Sequence, residues 1–228
     1  MNTIYVPKGA AKEYGDYSLN IYTGCPHRCW YCFAPGVLHR DRNTFHTDVR
    51  PREGIVEATE GYLKSTKMTG KTVHLCFTCD PYPTGHDSFA TREIIKLLKK
   101  YGNHVQILTK GSGMRDFDLL DGNDWYGVTL TGTEGAECRL ISELKEAHDR
   151  GIRTWISFEP VLDAQGVLEQ IRHTADFAGR VKIGKLNYHP SDIDWRQFGH
   201  DAEALCRKLG AEYYIKESLR REMSTSRS

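Results

Sequence analysis

Long apolar runs are missing from this sequence; the longest, such as residues 105–108, extend only a few positions. A membrane-spanning helix needs roughly 20 apolar residues, so no membrane partner is expected. The opening Met1-Asn2-Thr3-Ile4-Tyr5 lacks the basic-then-apolar layout of a secretory signal, and the expected location is the cytoplasm. An excess of charge of one sign is missing as well. Net charge is +1, so no global basic field advertises nucleic acid. Two segments, 64–71 and 216–227, hold local clusters of cations, and their simplest reading is a solvated loop and a frayed tail. Repeats, low-complexity tracts and linkers are absent too. With 39% hydrophobic and 27% charged residues over 228 positions, the chain fits one globular domain with a proper core.

What the chain does have is cysteine in an uneven distribution. There are seven, an odd number, and in a reducing compartment clustered cysteines more often mean metal or catalysis than disulfides. Cys25, Cys29 and Cys32 lie within eight residues, Cys76 and Cys79 form a second close pair, and Cys138 and Cys206 stand apart.

Strand-like and helix-like stretches alternate through the chain. Apolar, β-branched or aromatic runs predict strands at 18–23, 73–78, 104–109, 125–131, 154–158 and 181–186, with a last candidate at 212–216. Amphipathic stretches predict helices at 55–64, 88–101, 135–150, 164–178 and 194–209, and Gly102, Gly151 and Gly210 mark three of their stops. Such alternation implies a parallel sheet with crossover helices. A full eight-unit barrel takes about 250 residues, so the expected fold is α/β, a partial (β/α)6 TIM-type barrel, with a doubly wound open sheet as the runner-up. The expected division is an N-terminal extension at 1–16, a core domain at 17–220 and a disordered tail at 221–228. Polar residues followed by Gly or Pro close six of the strands, which points to one functional rim at their C-terminal ends.

Cys25-Pro26-His27-Arg28-Cys29-Trp30-Tyr31-Cys32 has the spacing C-x3-C-x2-C directly after a strand. Three thiolates can bind three irons of a cubane cluster, leaving the fourth iron open. S-adenosylmethionine (SAM) can occupy that iron through its amino and carboxylate groups. Two other readings compete. Positions i, i+4 and i+7 define one helix face, as three core cysteines would, although Gly24 and Pro26 argue for a loop. A zinc site would need a fourth ligand, for which His27 and His39 are near in sequence.

The motif, at the end of the first strand of a partial barrel, resembles the radical SAM superfamily, and Tyr31 stands where that family places an aromatic near the adenine. The segments 20–32, Thr78-Cys79-Asp80-Pro81-Tyr82, Thr109-Lys110 and Ser157-Phe158-Glu159-Pro160-Val161 resemble more narrowly the branch of spore photoproduct lyase and its relatives, over about residues 17–220. The resemblance implies a [4Fe–4S] cluster on Cys25, Cys29 and Cys32, SAM as cofactor, and an external one-electron donor of flavodoxin or ferredoxin type. It also implies reductive cleavage of SAM to methionine and a 5′-deoxyadenosyl radical that abstracts hydrogen from substrate.

Lys110, at a strand end, suits the SAM carboxylate, as a strand-end lysine does in related enzymes. Asp80 lies where the family carries a short polar motif around the SAM ammonium, with Thr78-Cys79-Asp80 in place of Gly-Gly-Glu. Thr129 and Thr131 alternate onto one strand face, Glu159 could accept from the ribose, and Asn187, Tyr188 and His189 are candidates for substrate contact. The substrate expected by resemblance is a nucleic acid base or lesion. In the lyase a cysteine returns hydrogen to the product; here Phe77 falls at that position, with Cys76 and Cys79 nearby. The rival functional class is a non-catalytic iron–sulfur or zinc module.

Overall fold

The structure, a computed structural model, describes residues 3–133 and 135–224. Its elements in chain order are β1 (Tyr17–Ser18), α1 (Ala34–Val37), α2 (Arg42–Thr47), α3 (Ile55–Thr66), β2 (Thr72–Leu75), α4 (Phe89–Lys100), β3 (His104–Thr109) and β4 (Trp125–Thr129). These are followed by α5 (Ala136–Asp149), β5 (Arg153–Phe158), α6 (Ala164–Thr174), β6 (Arg180–Ile183), α7 (Trp195–Leu209), β7 (Tyr213–Ile215) and α8 (Glu217–Ser224). The seven strands form one sheet in the order β1-β2-β3-β4-β5-β6-β7. A doubly wound sheet reverses its strand order at a switch point. No reversal occurs here, so the singly wound, barrel-type reading holds and the runner-up falls.

Two compact units divide between Trp125 and Tyr126. In the first, β1, β2 and β3 pair in parallel, with Ser18 opposite His74 and Leu75 opposite Ile107. α4 packs on this side through Ala90, Thr91, Ile94, Ile95 and Leu98, the one stripe of the helix that is buried. The first strand is shorter than the 18–23 expected. After Leu19, whose N–H still bonds His74 O, the backbone leaves β2 and pairs with 50–52 instead, through Arg52 N to Ile21 O and Thr23 N to Arg50 O, both 2.9 Å. That departure frees residues 24–32 to form a loop. Residues 3–16 pack on the first unit: Tyr5 pairs with Ser18, Ile4 is buried, and the Tyr14 ring lies 5.5 Å from that of His74.

In the second unit β5, β6 and β7 are parallel, with Ser157 opposite Lys182 and Ile183 opposite Ile215. Leu130 N reaches Ser157 O at 3.1 Å. α6 and α7 start on aspartate caps, Asp163 accepting from Gly166 N and Asp194 from Gln197 N. α7 ends at Gly210 with φ 67°, a left-handed turn that favours glycine. The tail expected at 221–228 begins too early: residues 221–224 continue α8, where Met223 is buried, and 225–228 lie outside the described residues. Among the described residues no helix is long and apolar enough to cross a membrane.

Candidate cofactor site

The loop 24–32 has little backbone ladder of its own, and the following helix supplies its partners. A Cβ on Gly24 would stand 2.1 Å from the backbone oxygen of Phe45, so only glycine lets the loop close onto α2. Cys25 N donates to that same oxygen at 3.2 Å. His46 Nδ1 donates to Cys25 O at 2.7 Å, which fixes the proton on that nitrogen because a carbonyl only accepts. The Arg42 guanidinium donates to the carbonyls of Cys29, Trp30 (2.7 Å) and Cys32 (3.2 Å). Arg42 and His46 are four residues apart, hence on one face of α2, and Asp41 caps that helix by accepting from Thr44 N.

All three thiols of the loop are free and half-buried. Burial first, and the Asp80 carboxylate second, push the Cys25 thiol well up; burial likewise raises Cys32. Such thiols stay protonated until a metal displaces the proton. Among the described residues no three of His, Cys, Asp and Glu converge as ligands of one metal ion. Thiolates sharing one zinc all stand about 2.3 Å from it. A cube instead gives each thiolate its own iron, and three soft sulfur donors in one loop fit that group.

His27 does not turn to the sulfurs. Its Nε2 lies 3.1 Å from Asp80 Oδ2, a close polar contact outside hydrogen-bond alignment. Asp80 is buried, and both of its oxygens are engaged. Oδ1 accepts from Tyr82 N (2.8 Å) and Thr109 Oγ1 (2.5 Å), and Oδ2 accepts from Lys110 N (2.8 Å). The carboxylate therefore ties the ends of β2 and β3 to the cysteine loop. From the same strand end the Lys110 ammonium reaches over the Tyr31 ring, 5.7 Å from its centroid. The first unit thus gathers Cys25, Cys29, Cys32, Tyr31, Asp80 and Lys110.

Behind them, Asn20 Oδ1 accepts from Phe77 N and Thr78 N, shaping the turn after β2. Cys76 and Cys79 are buried, and Cys79 Sγ accepts from Tyr22 N at 3.3 Å. Burial works to raise the Cys79 thiol, but hydrogen bonds from Cys76 and the amides of Tyr22 and Ile21 outweigh it and lower it; Cys76 is raised by burial and by its partner Cys79. Phe77 stacks at 4.4 Å on His74 and edge-on at 5.6 Å on Tyr14.

In the second unit Thr129 is buried at the end of β4, but Thr131 lies beyond the strand. Its N and Oγ1 donate to Glu137 Oε1 at 2.8 and 2.6 Å, and Gln170 Nε2 donates to Oε2. The Thr131 hydroxyl is thus engaged by the first turn of α5. Glu159 Oε2 accepts from Lys216 Nζ at 2.6 Å, and the lysine side chain is only 4% exposed. A Cβ on Gly184 would sit 3.0 Å from the Glu159 carboxyl carbon, so glycine leaves that carboxylate its room. Asn187 Nδ2 donates to Lys185 O, while Tyr188 is 93% exposed.

Arg42, His46, Glu137 and Lys216 escape a reading of the sequence, and Asn20 and Thr109 enter it only as members of longer segments. Of the first four, only Arg42 and His46 leave a trace in it, as donors spaced i, i+4 behind a capping aspartate.

Comparison with known proteins places these residues in a lineage. The model of the radical SAM superfamily matches residues 19–164. The uncharacterized protein Rv2578c of Mycobacterium tuberculosis is 34% identical over 121 residues, covering 50% of this chain and 35% of that protein. The uncharacterized protein MJ0683 of Methanocaldococcus jannaschii is 25% identical over 226 residues, 88% of this chain and 83% of its own. The chain therefore spans about a third of the length of the mycobacterial relative. In structure it is similar to SuiB of Streptococcus suis bound to S-adenosylmethionine, with a TM-score of 0.65 and 12% identity, over 92% of this chain and 53% of that one. That likeness shows the fold, the α/β partial-barrel type expected from the alternation of elements. The matched family stretch holds the three clustered cysteines, Asp80, Lys110 and Glu159, and the chain belongs to the radical SAM superfamily, whose cofactors are a [4Fe–4S] cluster and SAM.

Proposed function

We propose that Cys25, Cys29 and Cys32 hold the cluster and that the protein is a radical SAM enzyme acting on an organic substrate, with residues 17–220 as its catalytic core. The observation that carries this reading is the cysteine loop itself: three free thiols on a backbone whose carbonyls are held by Arg42 and His46. When bound, cluster and SAM supply one-electron reduction of the sulfonium and, from it, hydrogen abstraction at an unactivated C–H bond. The protein's part is to bind, orient and keep water out. Lys110 offers its ammonium to the SAM carboxylate and Tyr31 its ring to the adenine. Asp80 acts through position rather than direct contact, since its oxygens hold Lys110 and face His27. By resemblance, Thr129 and Glu159 are the second unit's candidates for polar contact with SAM, and Lys216 holds the Glu159 carboxylate in place. Seven free cysteines suit a reducing compartment such as the cytoplasm.

The narrower resemblance to spore photoproduct lyase favours a nucleobase or nucleic acid lesion as substrate. With Phe77 packed between His74 and Tyr14, hydrogen return would fall to Cys79 or come from outside the protein. Anaerobic reconstitution with iron and sulfide, followed by SAM and dithionite, tests the main reading. The expected product is 5′-deoxyadenosine, lost together with the cluster absorbance in Cys29→Ala. Bound iron without SAM cleavage would instead favour a non-catalytic iron–sulfur module.

A further inference from the structure

Nine large hydrophobic side chains are more than a third exposed among the described residues, and three of them flank the cysteines: Trp30 at 55%, Phe33 at 51% and Val37 at 61%. Phe33 and Val37 are one helical turn apart, joined by the Val37 N to Phe33 O bond, so they share a face. Trp30 stands between Cys29 and Cys32, its ring 5.4 Å from that of Tyr31. Scattered exposed apolar residues need no explanation, but three of them within one eight-residue segment beside a functional loop point to an interaction site.

The segment that carries these residues has an excess of positive charge. Residues 25–52 contain five arginines, two aspartates and no lysine or glutamate. This stretch therefore carries +3, while the whole chain carries +1 and the remaining 200 residues −2. Both aspartates are committed: Asp41 caps α2, and Asp48 pairs with Arg40 and Arg50.

We propose that Trp30, Phe33 and Val37, within the positive field of Arg28 and Arg42, form the docking face for an acidic one-electron carrier protein that reduces the cluster. The inference rests on the cysteine assignment above. One electron leaves the carrier and enters the cluster, and no proton or group is transferred. Such a step requires the two redox centres to come close, and Trp30 stands between Cys29 and Cys32, themselves half-buried. Redox encounters use small faces and charge steering, which three apolar side chains in a basic surround provide.

A single-stranded nucleic acid could also use exposed aromatics and arginines. Phosphate binding, however, needs guanidinium forks that are available to it. Here Arg42 serves loop carbonyls, Arg40 serves Thr23 O and Asp48, and Arg52 serves Tyr22 O. Held in this way, they act as field sources, which favours the acidic protein.

The test uses reconstituted protein and an acidic flavodoxin, fully reduced, with cluster reduction followed by stopped-flow absorbance. In the Trp30→Ser/Phe33→Ser/Val37→Ser variant the rate should fall at least tenfold, while iron content and reduction by dithionite stay at parental levels. Arg28→Glu alone should slow the flavodoxin reaction several-fold and flatten its dependence on salt. Parental rates in both variants overturn the proposal. So does a single-stranded oligonucleotide that binds the parent but not the triple variant while the flavodoxin rate is unchanged. Failure of dithionite to reduce the parent's reconstituted iron would overturn the cysteine assignment itself, a separate outcome.

Discussion

Arg42 gives its guanidinium to three carbonyls within the cysteine loop, and no other residue can take over that geometry. Lysine would keep the charge but lose the planar fork. Charge-assisted hydrogen bonds contribute about 1.5–3 kcal/mol each when buried, and less at this exposed position. Arg42→Met should therefore lower the stability of the apoprotein by only about 1 kcal/mol, or roughly 2–4 °C in melting temperature. It should at the same time speed loss of iron from the reconstituted protein severalfold; iron per chain after dialysis, beside thermal melts, checks both. A melting loss with iron retention unchanged would mean that the clamp does not serve the cysteines. Lys216 poses the complementary case. Lys216→Met removes the ammonium from a carboxylate that is four-fifths buried, and breaking a buried pair costs about 3 kcal/mol. Adding Glu159→Gln should restore more than half of that in urea unfolding, because the orphaned charge is removed with it.

Among the elements, α2 is the most dependent on its surroundings. Six residues are too few for a helix to persist alone, and its order comes from the Asp41 cap, buried Phe45 and the bonds to the loop. α4 is the opposite, with a buried stripe at regular spacing. Ile94→Ala, at a site with no exposure, should cost about 2–4 kcal/mol, measured by urea unfolding. α4 also carries Arg92, which pairs with Asp116 and Asp118 at 2.8 and 2.6 Å. Hydrogen bonding from Arg92 holds the Asp118 carboxyl below its ordinary range, and Lys99 does the same for Asp121. Carboxyls depressed in the folded state stabilise it above the ordinary carboxylate range, and that contribution fades as pH falls through the depressed values. The apoprotein's resistance to urea should thus fall between pH 6 and pH 3, and the decline should be smaller in Arg92→Gln.

Over the whole molecule, ligands that bind only the folded chain raise its stability by mass action. Saturating the reconstituted protein with SAM at about 100 times its dissociation constant should add about 2.7 kcal/mol, roughly 5–10 °C in melting temperature. Chelating the iron first, or substituting Cys29 by Ala, should remove that gain. A SAM-dependent rise that survives without iron would place SAM binding outside the cluster.

Much of this organisation is legible in the residues alone. The alternation of strand and helix depends on local periodicity and turn residues, so β3 at 104–109 and the stop at Gly210 could be read directly. The cysteine spacing is equally local. By itself the sequence determined the α/β class, the cysteine loop and the polar strand ends, because each depends on neighbours a few positions apart. Only the tertiary structure decided that β1 stops at Ser18, that Thr131 turns to Glu137, that Asp80 serves as a tie between strand ends, and that Arg42, His46 and Lys216 hold the parts in place. Those outcomes depend on partners far along the chain, as Glu159 and Lys216 are, 57 residues apart. Which of many polar groups meets another across such a span is set by packing and the demand for satisfied buried hydrogen bonds, not by any pattern the chain displays locally.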